Sequence, residues 1–128
     1  MYLYRTLHIL GHQNESLPHR FLQREEAADH AVLILPGGEF FAQSPALYYS
    51  ELECMHRGAD ILWVGYNARP DFAALSLEEK GVWALQDSIA AYQSLLQQRA
   101  YTRLTLIAKS IGTLVLGHLL TELAPKVP

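Results

Sequence analysis

Ser110 is the residue whose surroundings most favour chemistry. It stands in Leu106-Ile107-Ala108-Lys109-Ser110-Ile111-Gly112-Thr113, where a run of β-formers gives way to an apolar helical stretch. A serine hydroxyl is a weak nucleophile until a base takes its proton and donors hold the resulting oxyanion. A tight turn between a buried strand and a helix exposes the oxygen to a crevice and sets the next backbone N–H at the positive end of the helix. Such an elbow needs small residues two before and two after the serine, and Ala108 and Gly112 meet that need. Taken alone, the match fits better an ordinary N-cap serine of the following helix. Its place at a strand-to-helix junction, with a glycine turn after an earlier apolar run, moves the balance to the elbow.

That turn is Pro36-Gly37-Gly38-Glu39-Phe40-Phe41. Two glycines let the backbone turn sharply and aim N–H groups into a crevice. Ile111, together with Gly38 or Glu39, can then supply a two-donor oxyanion hole. In isolation the segment reads as a plain strand exit. Phe40, Tyr66 and Arg69 are candidates for lining the adjoining pocket.

A base and an acid are harder to find. No aspartate follows Ser110, and His118 and Glu122 both belong to the helix leaving the elbow. His118 is eight residues on, about 12 Å along a helix, too far for a serine–base hydrogen bond. His8 and His12 sit at the end of the first strand, and His30 at the amino end of another, the wrong side of the sheet. His19 and His56 also precede the serine. No histidine pair has metal-site spacing with an acidic third ligand, so neither metal nor cofactor is expected. Lys109-Ser110 lacks the glycine-rich run of a phosphate loop.

The elements that must position these residues alternate. Tyr2 to Leu10 reads as a strand ending at Gly11, His12 to His30 as mostly turn, with Phe21-Leu22 as a short edge strand. Ala31 to Leu35 and Ile61 to Tyr66 are continuous apolar runs suited to strands buried on both faces, and Leu104 to Ala108 is the last strand. A helix capped by Ser44 begins at Pro45, carries Leu47, Tyr48, Leu52 and Met55, and stops near Gly58. Ser76 and Glu79 form a capping box for a second helix whose stripe is Val82, Leu85, Ile89, Tyr92 and Leu96, with Asp87 and Gln93 on the wetter side. Gly81 threatens to delay its start. The third helix runs from Ile111 to Leu123, presents Leu114, Val115, Leu119 and Leu120 to the core, and ends at Pro125. This order predicts a mostly parallel α/β sheet with helices on both faces, its ligand crevice at the carboxyl ends of the strands.

The whole chain sets outer bounds. Its 128 residues form a single domain with room for a real core. Half are apolar and 18% charged, the formal charge is −3, and mean hydropathy is +0.03. Nothing favours nucleic acid, and no run approaches the length of a membrane span. Cys54 is the single cysteine, which excludes an internal disulfide and points to a small core residue. The start lacks the layout of a secretory signal, so a cytoplasmic location is expected.

The segments Leu33 to Gly38, Ile61 to Arg69 and Ile107 to Thr113 together resemble the α/β-hydrolases of the small serine esterase and acyl-hydrolase kind. The likeness runs from Ala31 to Leu123 in family order, with Ala108 where the usual pattern has glycine. It implies a partial α/β-hydrolase fold, the nucleophile-bearing first half, with Ser110 as nucleophile. In that family the acid and histidine lie on later strands, which implies that they are absent here. The expected activity is hydrolysis of an ester, thioester or amide of a small-molecule acyl substrate. The competing expectation is a truncated, catalytically inactive protein that binds a ligand or partner. An elbow strand left at the sheet edge invites a homodimer or a complementing C-terminal half.

Overall fold

His30–Leu35 (β3) and Asp60–Val64 (β4) carry the centre of the fold, and every one of their residues is buried. Such strands need cover above and below, which is why they read as unbroken apolar runs rather than alternations. In the computed structural model, which describes residues 1–37 and 45–123, they pair in parallel, Val32 opposite Ile61 and Ile34 opposite Trp63. Arg103–Ala108 (β5) lies parallel on the other side of β3, from His30 opposite Arg103 to Leu35 opposite Ala108.

The rest of the sheet overturns the predicted class. Tyr2–Arg5 (β1) pairs antiparallel with His19–Arg24 (β2), and β2 pairs antiparallel with β4. The order is β1-β2-β4-β3-β5, a five-stranded mixed sheet accompanied by three helices, not the mostly parallel α/β sheet predicted. The cause is the connection. A parallel neighbour normally needs a crossover helix, and the connection from β1 to β2, residues 6–18, holds only the 3-10 turn His12–Asn14 and loop. β2 is also longer than the predicted Phe21-Leu22 segment and is no edge: Phe21 and Leu22 are buried between β1 and β4. The predicted first strand ends early, at Arg5, and Leu10 makes only an isolated bridge to Ser16.

Pro45–His56 (α1) buries Leu47, Glu51 and Cys54. Leu47 and Cys54 join Val32, Ile34, Ile61 and Trp63 in one apolar cluster. The Ser44 cap lies outside the described residues. Glu51, which the apolar spacing did not single out, is the anchor: its carboxylate accepts both contacts of the Arg20 guanidinium, at 2.7 and 2.6 Å, and the Trp63 Nε1–H at 2.7 Å. One buried acid thus ties α1 to β2 and β4, and its charge is matched as burial requires.

Leu77–Leu96 (α2) starts on the predicted capping box, Ser76 Oγ accepting from the Glu79 amide and Glu79 Oε1 from the Ser76 amide. Gly81 does not delay it. Its buried face is Ala84, Asp87, Ser88, Ala91 and Leu95, a rotation away from the predicted stripe, so Val82 and Leu96 are exposed and Leu85, Ile89 and Tyr92 only partly covered. Small residues on that face let the helix approach the second cluster, which contains Leu33, Leu35, Leu62 and Val64. Ile111–Leu123 (α3) adds Val115 and Leu119 to it, whereas Leu114 and Leu120, predicted to face the core, are exposed. Among the described residues no helix is long and apolar enough to cross a membrane.

Candidate nucleophile elbow at the carboxyl ends of the parallel strands

Only Lys109 and Ser110 separate β5 from α3. To turn so tightly, Ser110 adopts φ 55°, in the left-handed region. An N-cap serine has extended backbone angles instead, so this is not the ordinary cap that the sequence also allowed. A side chain in that region costs on the order of 1–2 kcal/mol, which the flanking strand and helix must offset. The turn is held by backbone hydrogen bonds: the Lys109 N–H donates to the Leu35 carbonyl (3.1 Å), Gly112 N–H to Lys109 (2.9 Å) and Thr113 N–H to Ser110 (2.9 Å). Ser110 itself is exposed.

Gly112 has the steric role its position suggested. A Cβ there would stand 2.1 Å from the Leu35 carbonyl oxygen, so the first turn of α3 rests directly on the end of β3. Gly37 is the second contact. A Cβ on it would lie 3.0 Å from Ser110 Cβ and 3.6 Å from Ser110 Oγ, which puts the backbone of the glycine turn against the serine. Ile111, the first oxyanion candidate, opens α3, where the helix dipole favours negative charge. Gly38, Glu39 and Phe40 lie outside the described residues.

Two residues beyond β4 reach the same turn. Tyr66 is buried, its ring 5.7 Å from that of Phe72, and its hydroxyl donates to the Pro36 carbonyl. Burial, reinforced by the charge of Asp87, pushes the Tyr66 phenol well above its usual range and keeps it a donor. Asn67 Nδ2 donates to the Gly37 carbonyl at 2.9 Å.

Arg69 is engaged elsewhere. Its Nε and one terminal nitrogen pair with the two oxygens of Asp87 at 3.0 and 2.9 Å, and the other reaches Glu15 at 2.9 Å. Asp87, predicted on the wet side of its helix, is fully buried and also accepts the His12 amide at 2.7 Å. The network fastens the Gly11–Glu15 loop and the post-β4 turn to α2. Gly11 is where that loop touches down, since a Cβ there would meet Asp87 Oδ1 at 2.1 Å. The sequence signal for Asp87 was its register with Ala84, Ser88 and Ala91 on the small-residue face.

The histidines are dispersed. His30 is buried at the amino end of β3, bonded through Nε2 to Thr105 Oγ1 at 2.7 Å, and burial lowers its pKa. Leu35, at the other end of the strand, is five residue steps away, about 16 Å. His19 accepts from the Leu7 amide at 2.9 Å and faces the Leu17 carbonyl at 2.8 Å, which makes Nδ1 its protonated nitrogen. His12 stacks on Trp83 at 4.6 Å and bonds Gln86. His118 shares with Ser110 a shallow depression along α3, lined also by Thr113, Leu114, Gly117 and Thr121. Beside it, Leu77, Val82, Leu85, Ile111, Leu114 and Val115 line an apolar groove of about 550 Å³ between α2 and α3. Among the described residues no group of three or more His, Cys, Asp or Glu could hold a metal ion.

No family model matches the chain, and no curated protein sequence does either. In fold it is similar to a chain from a structural and mechanistic analysis of two prolyl endopeptidases, with a TM-score of 0.67 and 17% identity. The likeness covers 95% of this chain and 20% of that one, so the chain spans a fifth of the length of its structural neighbour. At that identity the likeness is one of fold.

Proposed function

We propose that this chain supplies the nucleophile of a serine hydrolase-type site that acts on an ester, thioester or amide through an acyl-enzyme on Ser110. The observation that carries the reading is the exposed serine at φ 55° between β5 and α3 with the Gly37 backbone against it. In the reaction Ser110 Oγ attacks the acyl carbon while its proton passes to a base. The oxyanion is held by the Ile111 amide and one from Gly38 or Glu39. Collapse breaks the bond to the alcohol, thiol or amine, which leaves with the proton, and water then releases the acid and regenerates Ser110. The base and its acid partner are supplied by polypeptide seated along β5, whether a second copy, a complementing half or further residues of the same protein.

A second reading, a catalytically inactive ligand- or partner-binding protein, is favoured by the position of His118. It lines the serine's depression but stands two turns along the same helix. A fluorophosphonate probe separates the two. Stoichiometric modification of Ser110, abolished in Ser110→Ala, is expected of the hydrolase. Folded protein with β5 paired that takes up no label would leave the binding reading in its place.

A further inference from the structure

We infer that Tyr66 and Asn67 are positioning residues for the oxyanion turn, acting on Ser110 chemistry through the Pro36 and Gly37 carbonyls. The inference rests on the hydrolase reading of Ser110 and adds to it which side chains make the turn usable.

A glycine turn has little steric reason to prefer one orientation of its peptide planes over the flipped one. For an oxyanion site the choice is decisive. Amide hydrogens facing the developing charge stabilise it, whereas a carbonyl oxygen in the same place repels it. In this chain both carbonyls of the turn's first half are held from the β4 side. Pro36 accepts from the Tyr66 hydroxyl and Gly37 from Asn67 Nδ2 at 2.9 Å. Because the trans peptide is planar, holding the Pro36 carbonyl toward Tyr66 turns the Gly37 N–H away from it. The strand order β4-β3-β5 puts Ser110 on the far side of β3 from the residues that follow β4. The Gly37 backbone bears on Ser110 itself, 3.0 Å separating its would-be Cβ from Ser110 Cβ. Two adjacent residues after one strand therefore keep the electron-rich oxygens of a neighbouring strand's exit turned from the serine.

The clamp is also built to persist. Tyr66 is fully buried, and burial raises its phenol pKa, which favours the protonated form that donates. Asn67 follows it in the short 3-10 turn Tyr66–Ala68, whose end is fastened through Arg69 to Asp87. Neither side chain touches the reacting atoms in this scheme, and both act through the turn.

The test uses the full chain with a small fluorophosphonate, resolving the maximal inactivation rate from the half-saturating concentration. Amide spectra of 15N-labelled protein are recorded beside it. Tyr66→Phe keeps the ring and removes the donor; Asn67→Leu removes the other, and Asn67→Gln restores an amide. The expected result is a 5- to 20-fold fall in the maximal rate for each donor-less variant, with half-saturation unchanged and partial recovery in Asn67→Gln. Resonances of Gly37 and Ser110 should move while those late in α2 stay in place. A residue of merely structural use would leave the maximal rate per folded molecule unchanged, and that result overturns the inference. If the unmodified chain takes no label, the hydrolase reading fails by itself, and the clamp is then judged by the amides. Gly37 and Ser110 resonances unmoved in Tyr66→Phe would refute it.

Discussion

At the scale of single residues, backbone conformation discriminates between roles that side-chain chemistry leaves open. Ser110 at φ 55° pays for an exposed hydroxyl with strain, whereas an N-cap serine would carry none. The two roles give opposite signs on replacement by glycine. Relief of the strained φ should raise the unfolding free energy of Ser110→Gly by up to about 1 kcal/mol, where loss of a true cap would lower it by a few tenths. Urea denaturation followed by circular dichroism decides the sign. Gly112 should respond in the other direction. Alanine there drives a methyl into the Leu35 carbonyl, a rigid backbone group, at an expected cost of about 3 kcal/mol or more. The need for small residues around Ser110 was legible because it follows from close approach of strand and helix. The carbonyl contacts made by Tyr66 and Asn67 were not, because they join residues thirty apart across two strand ends and leave no local pattern.

At the scale of elements, apolar periodicity located the helices better than it located their faces. α2 turns Ala84, Asp87, Ser88, Ala91 and Leu95 inward, since small residues permit a close helix-to-sheet approach and Asp87 finds Arg69 waiting. A rule that sends charges outward fails wherever a charge has a buried partner. Removing one member should therefore be costly. Asp87→Ala leaves the buried Arg69 guanidinium with only the exposed Glu15 carboxylate as counter-charge, and a loss of about 3 kcal/mol in unfolding free energy is expected from denaturant titration, with part of it recovered when Arg69→Met is added. The N-terminal strands were misread for a related reason. β1 and β2 are half-exposed and joined without a helix, so nothing in their composition announced that β2 would insert beside β4. His30, at the amino end of β3, gives the fold a pH dependence. Burial, with the nearby Arg103 charge, lowers its native pKa below the unfolded value near 6.5, so the unfolded chain binds the proton more readily. Stability should be full above about pH 6.5 and decline as pH falls toward the lowered native pKa. The slope over that interval should flatten in His30→Gln.

At the scale of the molecule, one flank of the described sheet is an open edge. β5 is the edge of the sheet on the Ser110 side, and its residues are no more than partly covered, in contrast with β3 and β4. An edge strand of β-formers offers a row of unpaired backbone groups to another chain. Beside it, Leu114 and Leu120 of α3 are 56% and 50% exposed, and Leu77 and Val82 extend the apolar surface across the groove toward α2. Exposed apolar side chains gathered in this way make a candidate contact surface. If a second copy of the chain covers it, sedimentation velocity at tens of micromolar should show a dimer that Leu114→Glu with Leu120→Glu dissociates. Both side chains are half in solvent, so the substitutions should leave the melting midpoint of the monomer nearly unchanged. A monomer at all concentrations would exclude self-pairing. The base for Ser110 would then come with other polypeptide, a complementing half or further residues of the same protein, able to add a strand to β5 and carry a histidine to the serine.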